Sequence, residues 1–233
     1  LLVKARLLKT HGMASPPLGV LYLSAALKAA GFPDVEVLDG AVCGEEEFYA
    51  RIAAAGAELV GISAITAEGV SLHRAAAAAK KARPETFVVA GGHYPASSPG
   101  ICLRDPAVDA AALGEGEKTI AALAEALKNG KGFSGVPGCW IREGRNILKN
   151  TPAPPEEELD LLPMPDWSSL DAGAYAGFVP QSPLLYGSRY MSLFTSRGCP
   201  YNCVFCHRLM GKKFRAHSPA RVLAEVRLLN ERY

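Results

Sequence analysis

Short apolar segments alternate with longer, alanine-rich segments over the first two-thirds of the chain. The apolar segments predict five strands, at residues 1–8, 35–39, 58–63, 86–90 and 108–113. The segments between and after them predict helices at residues 17–30, 45–55, 70–82 and 117–128. Strands that alternate with helices of this length indicate βαβ units, so we expect an α/β fold with a doubly wound, parallel sheet.

Glycines follow most of the predicted strands. They are Gly12, Gly40, Gly91, Gly92, Gly114 and Gly116. Right-handed crossovers place the loops after parallel strands along one edge of the sheet, and open sheets of this kind bind ligands at that edge. Any single glycine could simply end a strand. As a set on one edge, they favour a ligand-binding site.

The rest of the chain has a different pattern. A hairpin is predicted at residues 139–142 and 146–149, and eight of the 17 prolines lie between residues 136 and 183, as expected for an extended connector. Beyond it we expect a strand at 191–195, a cysteine-rich loop at 196–210 and a helix at 219–230 capped by Ser218. The sequence therefore predicts an α/β domain at 1–135, a hairpin and linker at 136–187, and the start of a second domain at 188–233.

Composition sets limits on the class of protein. Of the 233 residues, 49% are hydrophobic and 21% are charged, which excludes wholesale disorder. A net charge of +2 predicts neither a nucleic-acid partner nor a membrane surface. No apolar run approaches the roughly 18 residues of a membrane span, and no leader peptide opens the chain, so we expect a cytoplasmic protein. Because the chain begins at Leu1 and ends within a helical pattern at Tyr233, we expect it to be the amino-terminal part of a longer protein.

The six cysteines fall into two groups. Three stand far apart, as small buried hydrophobic residues do: Cys43, Cys102 and Cys139. The other three lie within eight residues: Cys199, Cys203 and Cys206. A disulfide is disfavoured for this second group, because three is an odd number and the expected compartment is reducing. Three thiolates in one loop indicate a metal site.

Three interpretations of this loop remain open. Structural zinc needs four ligands, and only His207 or His217 could supply the fourth. A redox dithiol could form from Cys203 and Cys206. We favour a four-iron cluster, because three cysteines leave one iron free to bind a substrate or cofactor.

The segment Thr-Ser-Arg-Gly-Cys-Pro-Tyr-Asn-Cys-Val-Phe-Cys, at 195–206, resembles the signature loop of the radical S-adenosylmethionine (SAM) enzymes. The resemblance implies that Cys199, Cys203 and Cys206 are the metal ligands of a [4Fe–4S] cluster. It also implies that SAM chelates the fourth iron through its amino and carboxylate groups, and that Phe205 lies against the adenine. Reductive cleavage of SAM would then release a 5′-deoxyadenosyl radical. No catalytic side chain can be named from the sequence.

The first 130 or so residues resemble the cobalamin-binding domain of the B12-dependent branch of that superfamily. The matching stretches are Pro-Pro-Leu-Gly-Val-Leu-Tyr-Leu at 16–23, Val-Gly-Ile-Ser at 60–63, Val-Ala-Gly-Gly-His at 89–93 and Gly-Glu-Gly-Glu at 114–117. The resemblance implies a Rossmann-like domain of the cobalamin-binding type, followed by the start of a radical SAM partial TIM barrel. The residues that it places against the corrin or its nucleotide tail are Leu18, Gly19, Ser63, Gly91, Gly92, His93, Gly114 and Glu115.

One departure concerns the cobalt ligand. Classical cobalamin modules carry Asp-x-His-x-x-Gly after the first strand, but here Lys9 and Ala14 stand where the Asp and Gly would be, around His11. The carboxylate that would orient the histidine is therefore absent. We expect His11 to be an ordinary loop residue and the lower face of cobalt to have no protein ligand.

The resemblance implies a cobalamin-dependent radical SAM enzyme, with methyl transfer to an unactivated carbon as the leading reaction. Its cofactors would be a [4Fe–4S] cluster, SAM and cobalamin, and its partners a small-molecule substrate and an electron donor such as flavodoxin or ferredoxin. The alternatives are an oxidative ring-forming enzyme of the tetrapyrrole cyclase type, a radical SAM enzyme that has lost cobalamin, and a zinc-stapled binding module. The fragment alone should not complete turnover.

Basic residues beside the cysteines have two readings. Lys212, Lys213, Arg215 and Arg221 follow the loop. A solvated face is the usual explanation for such a run, and contact with an anionic ligand is the other. Arg197, just before the loop, either tunes the charge of the cluster or pairs with an acidic side chain.

Overall fold

The computed structural model describes residues 1–7, 14–175, 178, 190–207 and 209–233. A mixed sheet of seven strands forms its centre. The strands are β1 (Leu2–Lys4), β2 (Val37–Asp39), β3 (Leu59–Ser63), β4 (Phe87–Gly91), β5 (Ala110–Ala112), β6 (Cys139–Glu143) and β7 (Asn146–Lys149). The helices of this part are α1 (Leu18–Ala29), α2 (Glu45–Ala54), α3 (Gly69–Ala82), α4 (His93–Ser97), α5 (Pro99–Cys102) and α6 (Glu117–Lys128).

The strand order β2-β1-β3-β4-β5-β6-β7 confirms the doubly wound α/β fold, with β1 to β5 all parallel. Alternate strand residues enter two separate cores, as the pleat requires. In β4, Val89 packs on the face covered by α1 and α6, whereas Val88 packs on the face covered by α2 and α3. Burial on both faces explains why these strands are apolar at nearly every position.

The structure differs from the sequence prediction mainly in short elements. The first strand covers only Leu2–Lys4 of the predicted residues 1–8, of which residue 8 lies outside the described residues. Two short helices, α4 and α5, occupy residues for which the sequence predicted no helix or strand. Prolines at 95, 99 and 106 obscured them, because proline suggests a turn although it also suits the first turn of a helix.

The predicted hairpin forms and is part of the sheet. Residues Ala110–Ala112 of β5 pair antiparallel with β6, which pairs with β7. The sequence grouped this hairpin with the linker. The hydrogen bonds instead join it to the sheet, while the division of the chain into domains stays a prediction.

The proline-rich linker packs against the α/β unit through three short 3-10 turns, at Leu159–Leu161, Trp167–Ser169 and Ala172–Tyr175. Trp167 is buried in the core that α1 and α6 cover, and its Nε1 also donates to Glu225 Oε1, near the end of the chain, at 3.3 Å. Connectors rich in proline are often free in solution. Within the described residues, this linker is instead anchored to the rest of the protein.

The last segment contains the hairpin-like pair β8 (Ser196–Arg197) and β9 (Arg215–Ala216), and α7 (Pro219–Arg232). The Ser218 side chain accepts from Arg221 N at 3.2 Å, which confirms the predicted cap of α7. The prediction of a strand at 191–195 was wrong. An apolar run forms a strand only beside a partner, and among the described residues β9 pairs with Ser196 and Arg197 alone. None of the helices in the described ranges is long and apolar enough to cross a membrane.

Candidate cofactor-binding site

A cavity of about 300 Å³ lies at the carboxyl edge of the sheet. Residues at the ends of β1, β3, β4 and β5 line it, because parallel strands all end at that edge. Seven of the residues that the sequence assigns to cobalamin line it as well: Gly19, Ser63, Gly91, Gly92, His93, Gly114 and Glu115. The edge includes the point between β1 and β3 at which the strand order reverses, where open α/β sheets bind their ligands.

The glycines give this cavity a wall of bare backbone. Gly92 has φ +88° and ψ −166°, a region that essentially only glycine occupies, and a Cβ there would lie 2.7 Å from Ala64 O. Gly114 has φ +85°, and neither Gly114 nor Gly19 has an atom within 4 Å of the position that a Cβ would take. A side chain at either position would extend into free space. Because glycine has no side chain, a ligand has room to approach the backbone there.

Leu18 does not line the cavity, whereas His93 lies where the cavity meets the cysteine segment. Leu18 is buried in the core shared by α1 and α6, so contact with a cavity ligand at this turn falls to Gly19. His93 begins α4, and its ring centre lies 4.7 Å from that of His207, next to Cys206. Burial and the charge of His207 both lower the pKa of His93. His11 lies outside the described residues.

Residues next to the cysteine loop form the other side of the cavity. Phe194 and Arg197 precede the loop, Leu209 and Met210 end it, and all four line the cavity. The His207 imidazole adds a second contact, with its Nε2 2.9 Å from Ser97 Oγ on α4. The sheet edge and the residues that flank the three cysteines therefore line one shared cavity, and the cysteines themselves are not among the lining residues.

Two arginines and two glutamates join these two sides in a buried group, here called the Arg–Glu cluster: Arg197, Arg215, Glu115 and Glu117. Arg197 Nη2 donates to Glu117 Oε1 at 2.6 Å, and its Nη1 lies 3.4 Å from Glu115 Oε2. Arg215 donates to Glu115 Oε1 and to Met210 O. The Arg197 guanidinium also lies 4.9 Å from the ring centre of Tyr22 on α1.

Mutual pairing favours the charged forms of Glu115 and Arg197 although both are buried. Burial alone would raise the pKa of Glu115, but hydrogen bonds from Arg215 and from the Glu156 backbone lower it. Burial alone would lower the pKa of Arg197, but Glu117 and Glu115 raise it. Of the two readings for Arg197 in the sequence, pairing with acidic side chains is the one that the structure supports. The run Gly-Glu-Gly-Glu at 114–117 was the sequence signal for this pairing. It places two acidic residues in a glycine-rich turn, where glycine alone would let a ligand approach the backbone.

The basic residues after the loop do not form one solvated face. Arg215 is buried in the Arg–Glu cluster, and Arg221 donates to Leu162 O at 3.2 Å. Lys213 is exposed and pairs with Glu157. The structure therefore separates the buried Arg215 from the half-buried Arg221 and from the exposed Lys212 and Lys213.

The three loop cysteines are free and exposed. Gly198, with φ +86°, fixes the entry to the loop, because a Cβ there would lie 2.0 Å from Lys213 O at the exit. Among the described residues, no three Cys, His, Asp or Glu side chains already stand in a metal-binding arrangement. Phe205 is 90% exposed and does not reach the cavity.

The donor set nevertheless suits an iron–sulfur cluster. Three accessible thiols on a short irregular loop can converge on a cluster, and soft thiolates select iron–sulfur or zinc centres. His217, one possible fourth ligand for zinc, is engaged elsewhere: its Nδ1 lies 3.0 Å from Asp160 Oδ1. His207 bonds Ser97 through Nε2 and the Leu209 amide through Nδ1. This arrangement favours a centre with three protein ligands.

Two curated relatives are similar over most of the chain. The uncharacterized methyltransferase PH0819 of Pyrococcus horikoshii is 33% identical over 230 residues, covering 95% of this chain and 47% of that protein. The anaerobic magnesium-protoporphyrin IX monomethyl ester cyclase of Rubrivivax gelatinosus is 30% identical over 222 residues, covering 92% of this chain and 39% of that protein. The chain thus spans less than half of the length of each.

A solved structure shares the fold. The radical SAM methyltransferase TsrM of Kitasatospora setae, solved with cobalamin and a [4Fe–4S] cluster bound, matches with a TM-score of 0.72 at 19% identity, over 99% of this chain and 45% of that one. A model of the B12 binding domain matches residues 7–124. These findings confirm the resemblance drawn from the sequence. Since the family model covers half of its residues, the chain belongs to the B12-binding domain family.

Proposed function

We propose that this chain carries the cobalamin and iron–sulfur sites of a cobalamin-dependent radical SAM enzyme that transfers a methyl group to an unactivated carbon. The observation that carries the proposal is the shared cavity. Its one side is the glycine-lined sheet edge of a B12-binding domain, and its other side is formed by residues that flank three free cysteines in radical SAM spacing. Two sites for different cofactors thus lie within reach of one another.

The residues have distinct roles in this proposal. Gly19, Gly91, Gly92 and Gly114 let a flat macrocycle or its tail approach the backbone, and Ser63, His93 and Glu115 also line the cavity. The cavity is smaller than a whole cobalamin, so it would hold part of it, such as the nucleotide tail. Leu18 supports this edge from within the core.

The cysteine loop would hold the cluster. Cys199, Cys203 and Cys206 would bind three irons, and Phe205 would lie against the adenine of SAM. When bound, the cluster supplies one electron for the cleavage of SAM, and cobalamin supplies the methyl group. The chain's own apolar side chains Phe194, Leu209 and Met210 line the cavity on this side and would limit the access of water to bound cofactors.

The cyclase relative supports a second candidate, an oxidative ring-forming reaction of the same family. The described residues favour neither reaction, since both use the same two cofactor sites. A small-molecule substrate, an electron donor such as flavodoxin or ferredoxin, and a cytoplasmic location stay predictions.

Anaerobic reconstitution of the full-length protein with iron, sulfide and hydroxocobalamin tests the proposal. We expect about four irons and close to one corrin per chain, by metal analysis and absorbance. Cys203→Ala should lose the iron and still take up corrin at saturating hydroxocobalamin. The matched control Cys43→Ala removes a cysteine outside the loop and should keep both.

Two results would contradict the proposal in different ways. Uptake of iron without corrin would show that the α/β domain has only a structural role. Zinc in place of iron, with no absorbance of a cluster, would favour the zinc-stapled binding module instead.

A further inference from the structure

The Arg–Glu cluster holds both ends of the cysteine loop through ion pairs. Arg197 and Arg215 are opposite each other in the β8–β9 pair, and the loop with all three cysteines runs between them. Both arginines reach Glu115, and Arg197 also reaches Glu117. These glutamates flank Gly116 at the glycine-lined edge: Glu115 lies between β5 and α6, and Glu117 is the first residue of α6.

Burial makes these ion pairs rigid. The arginine side chains are 4% and 3% exposed, and those of the glutamates are 8% and 9% exposed. A buried charge that loses its partner cannot be rehydrated without opening the structure. The stem of the cysteine loop and the edge after β5 therefore have to move together.

The cluster also retains unused hydrogen-bond donors. Arg197 lines the cavity, and its Nε and Nη1 are buried with no hydrogen-bond acceptor within the described part of the chain, although Nη1 lies within ion-pair distance of Glu115. Such a donor is costly unless it finds an acceptor. An amide or phosphate oxygen of a ligand seated in the cavity could accept from it and complete the network.

We propose that the Arg–Glu cluster couples the two cofactor sites, with Glu115 and Glu117 as positioning residues for the cysteine loop. A ligand in the cavity stabilises the edge after β5 and Arg197, and these hold the stem of the loop in place. The inference rests on the proposed function, since it needs both sites. Coupling between sites is reciprocal, so iron in the loop and cobalamin in the cavity strengthen each other's binding by the same factor.

The test compares hydroxocobalamin affinity in iron-loaded and iron-free protein, by absorbance titration of the full-length chain. In the wild type we expect tighter binding to the iron-loaded form, by a factor on the order of ten. Glu117→Gln should bring this ratio close to one, and Glu115→Gln is a second variant with the same expectation. Arg197→Lys keeps the charge but not the two-pronged geometry and should be intermediate.

Asp109→Asn is the matched control. Asp109 is an acid with two basic partners, Lys80 at 2.7 Å and Arg142 at 3.1 Å, but it lies at the opposite end of β5. It should keep the wild-type ratio. A purely structural loss lowers both affinities and leaves their ratio unchanged.

A second measurement needs no cofactor. Hydrogen exchange of the backbone amides of residues 198–214 should speed up several-fold in Glu117→Gln and stay unchanged in Asp109→Asn. Equal hydroxocobalamin affinities of the iron-loaded and iron-free wild type would overturn the inference. So would two glutamate variants that keep both the affinity ratio and the amide exchange rates of the wild type. Failure of the wild type to take up either cofactor would instead count against the proposed function, and the exchange result would still decide whether the glutamates hold the loop.

Discussion

The phenol of Tyr175 in the linker donates a 2.7 Å hydrogen bond to Oδ2 of Asp39, at the end of β2. Both side chains are buried. Burial raises the pKa of Asp39, while the Ala41 amide and the Tyr175 phenol act to lower it. The contact spans 136 residues of sequence, so it ties the linker directly to the edge of the sheet.

Tyr175→Phe should therefore destabilise the protein by about 1–3 kcal/mol, since it leaves a buried carboxyl oxygen without its donor. Chemical denaturation measures the loss. A double-mutant cycle with Asp39→Asn supplies the control, because the amide needs the phenol less than the carboxylate does. Additive effects of the two substitutions would show that this bond does not anchor the linker.

The sequence predicted the α/β unit well because its signals are local. Residues 87–90 are apolar throughout since both faces of β4 are buried, and α1 and α6 carry stripes that match the core they enter. Glycines after the strands indicated the cavity for the same reason: the carboxyl ends of parallel strands share an edge.

The contacts between the two parts of the chain could not be predicted in this way. Glu117 and Arg197 are 80 residues apart, and Glu115 and Arg215 are 100 apart, so no local pattern joins them. The strand expected at 191–195 failed for a related reason. Its apolar residues were visible, but the short partner β9 was not.

Asp166 should make stability depend on pH below neutrality. Burial alone would raise its pKa, but hydrogen bonds from Lys28, Ser168, Ser169 and Ser24 lower it to about 2. Because the folded-state pKa lies below the unfolded-state value, the contribution is present above about pH 4 and is lost as the pH falls towards 2. We expect about 1–2 kcal/mol at pH 7.

The free energies of unfolding of the wild type and Asp166→Asn check this expectation between pH 7 and about pH 3. The difference between them should narrow as the pH falls. The exposed Asp34, changed to Asn, is the control and should show no such trend. A difference that does not vary with pH would mean that the charge of Asp166 is not what matters.

Ser218→Ala tests the cap of α7, the helix that follows the cysteine segment. The Ser218 hydroxyl accepts a hydrogen bond from Arg221 N, and an alanine at position 218 leaves that donor unpaired. The expected loss is about 1 kcal/mol, measured by chemical denaturation. Ser134→Ala, at an exposed site, should be neutral. Equal effects of the two substitutions would show that the cap does not hold the start of α7.

Gly92→Ala tests the sheet edge itself. Its backbone conformation is one that alanine rarely adopts, and the added Cβ would meet Ala64 O at 2.7 Å. We expect a loss of stability of about 2–3 kcal/mol and, in protein shown to be folded by circular dichroism, at least a tenfold weaker affinity for hydroxocobalamin, by absorbance titration. Gly100→Ala is the matched control, since no atom lies within 4 Å of the position of its Cβ. If folded Gly92→Ala binds hydroxocobalamin as tightly as the wild type, the cofactor does not use this edge, and the glycines there serve only the turn into α4.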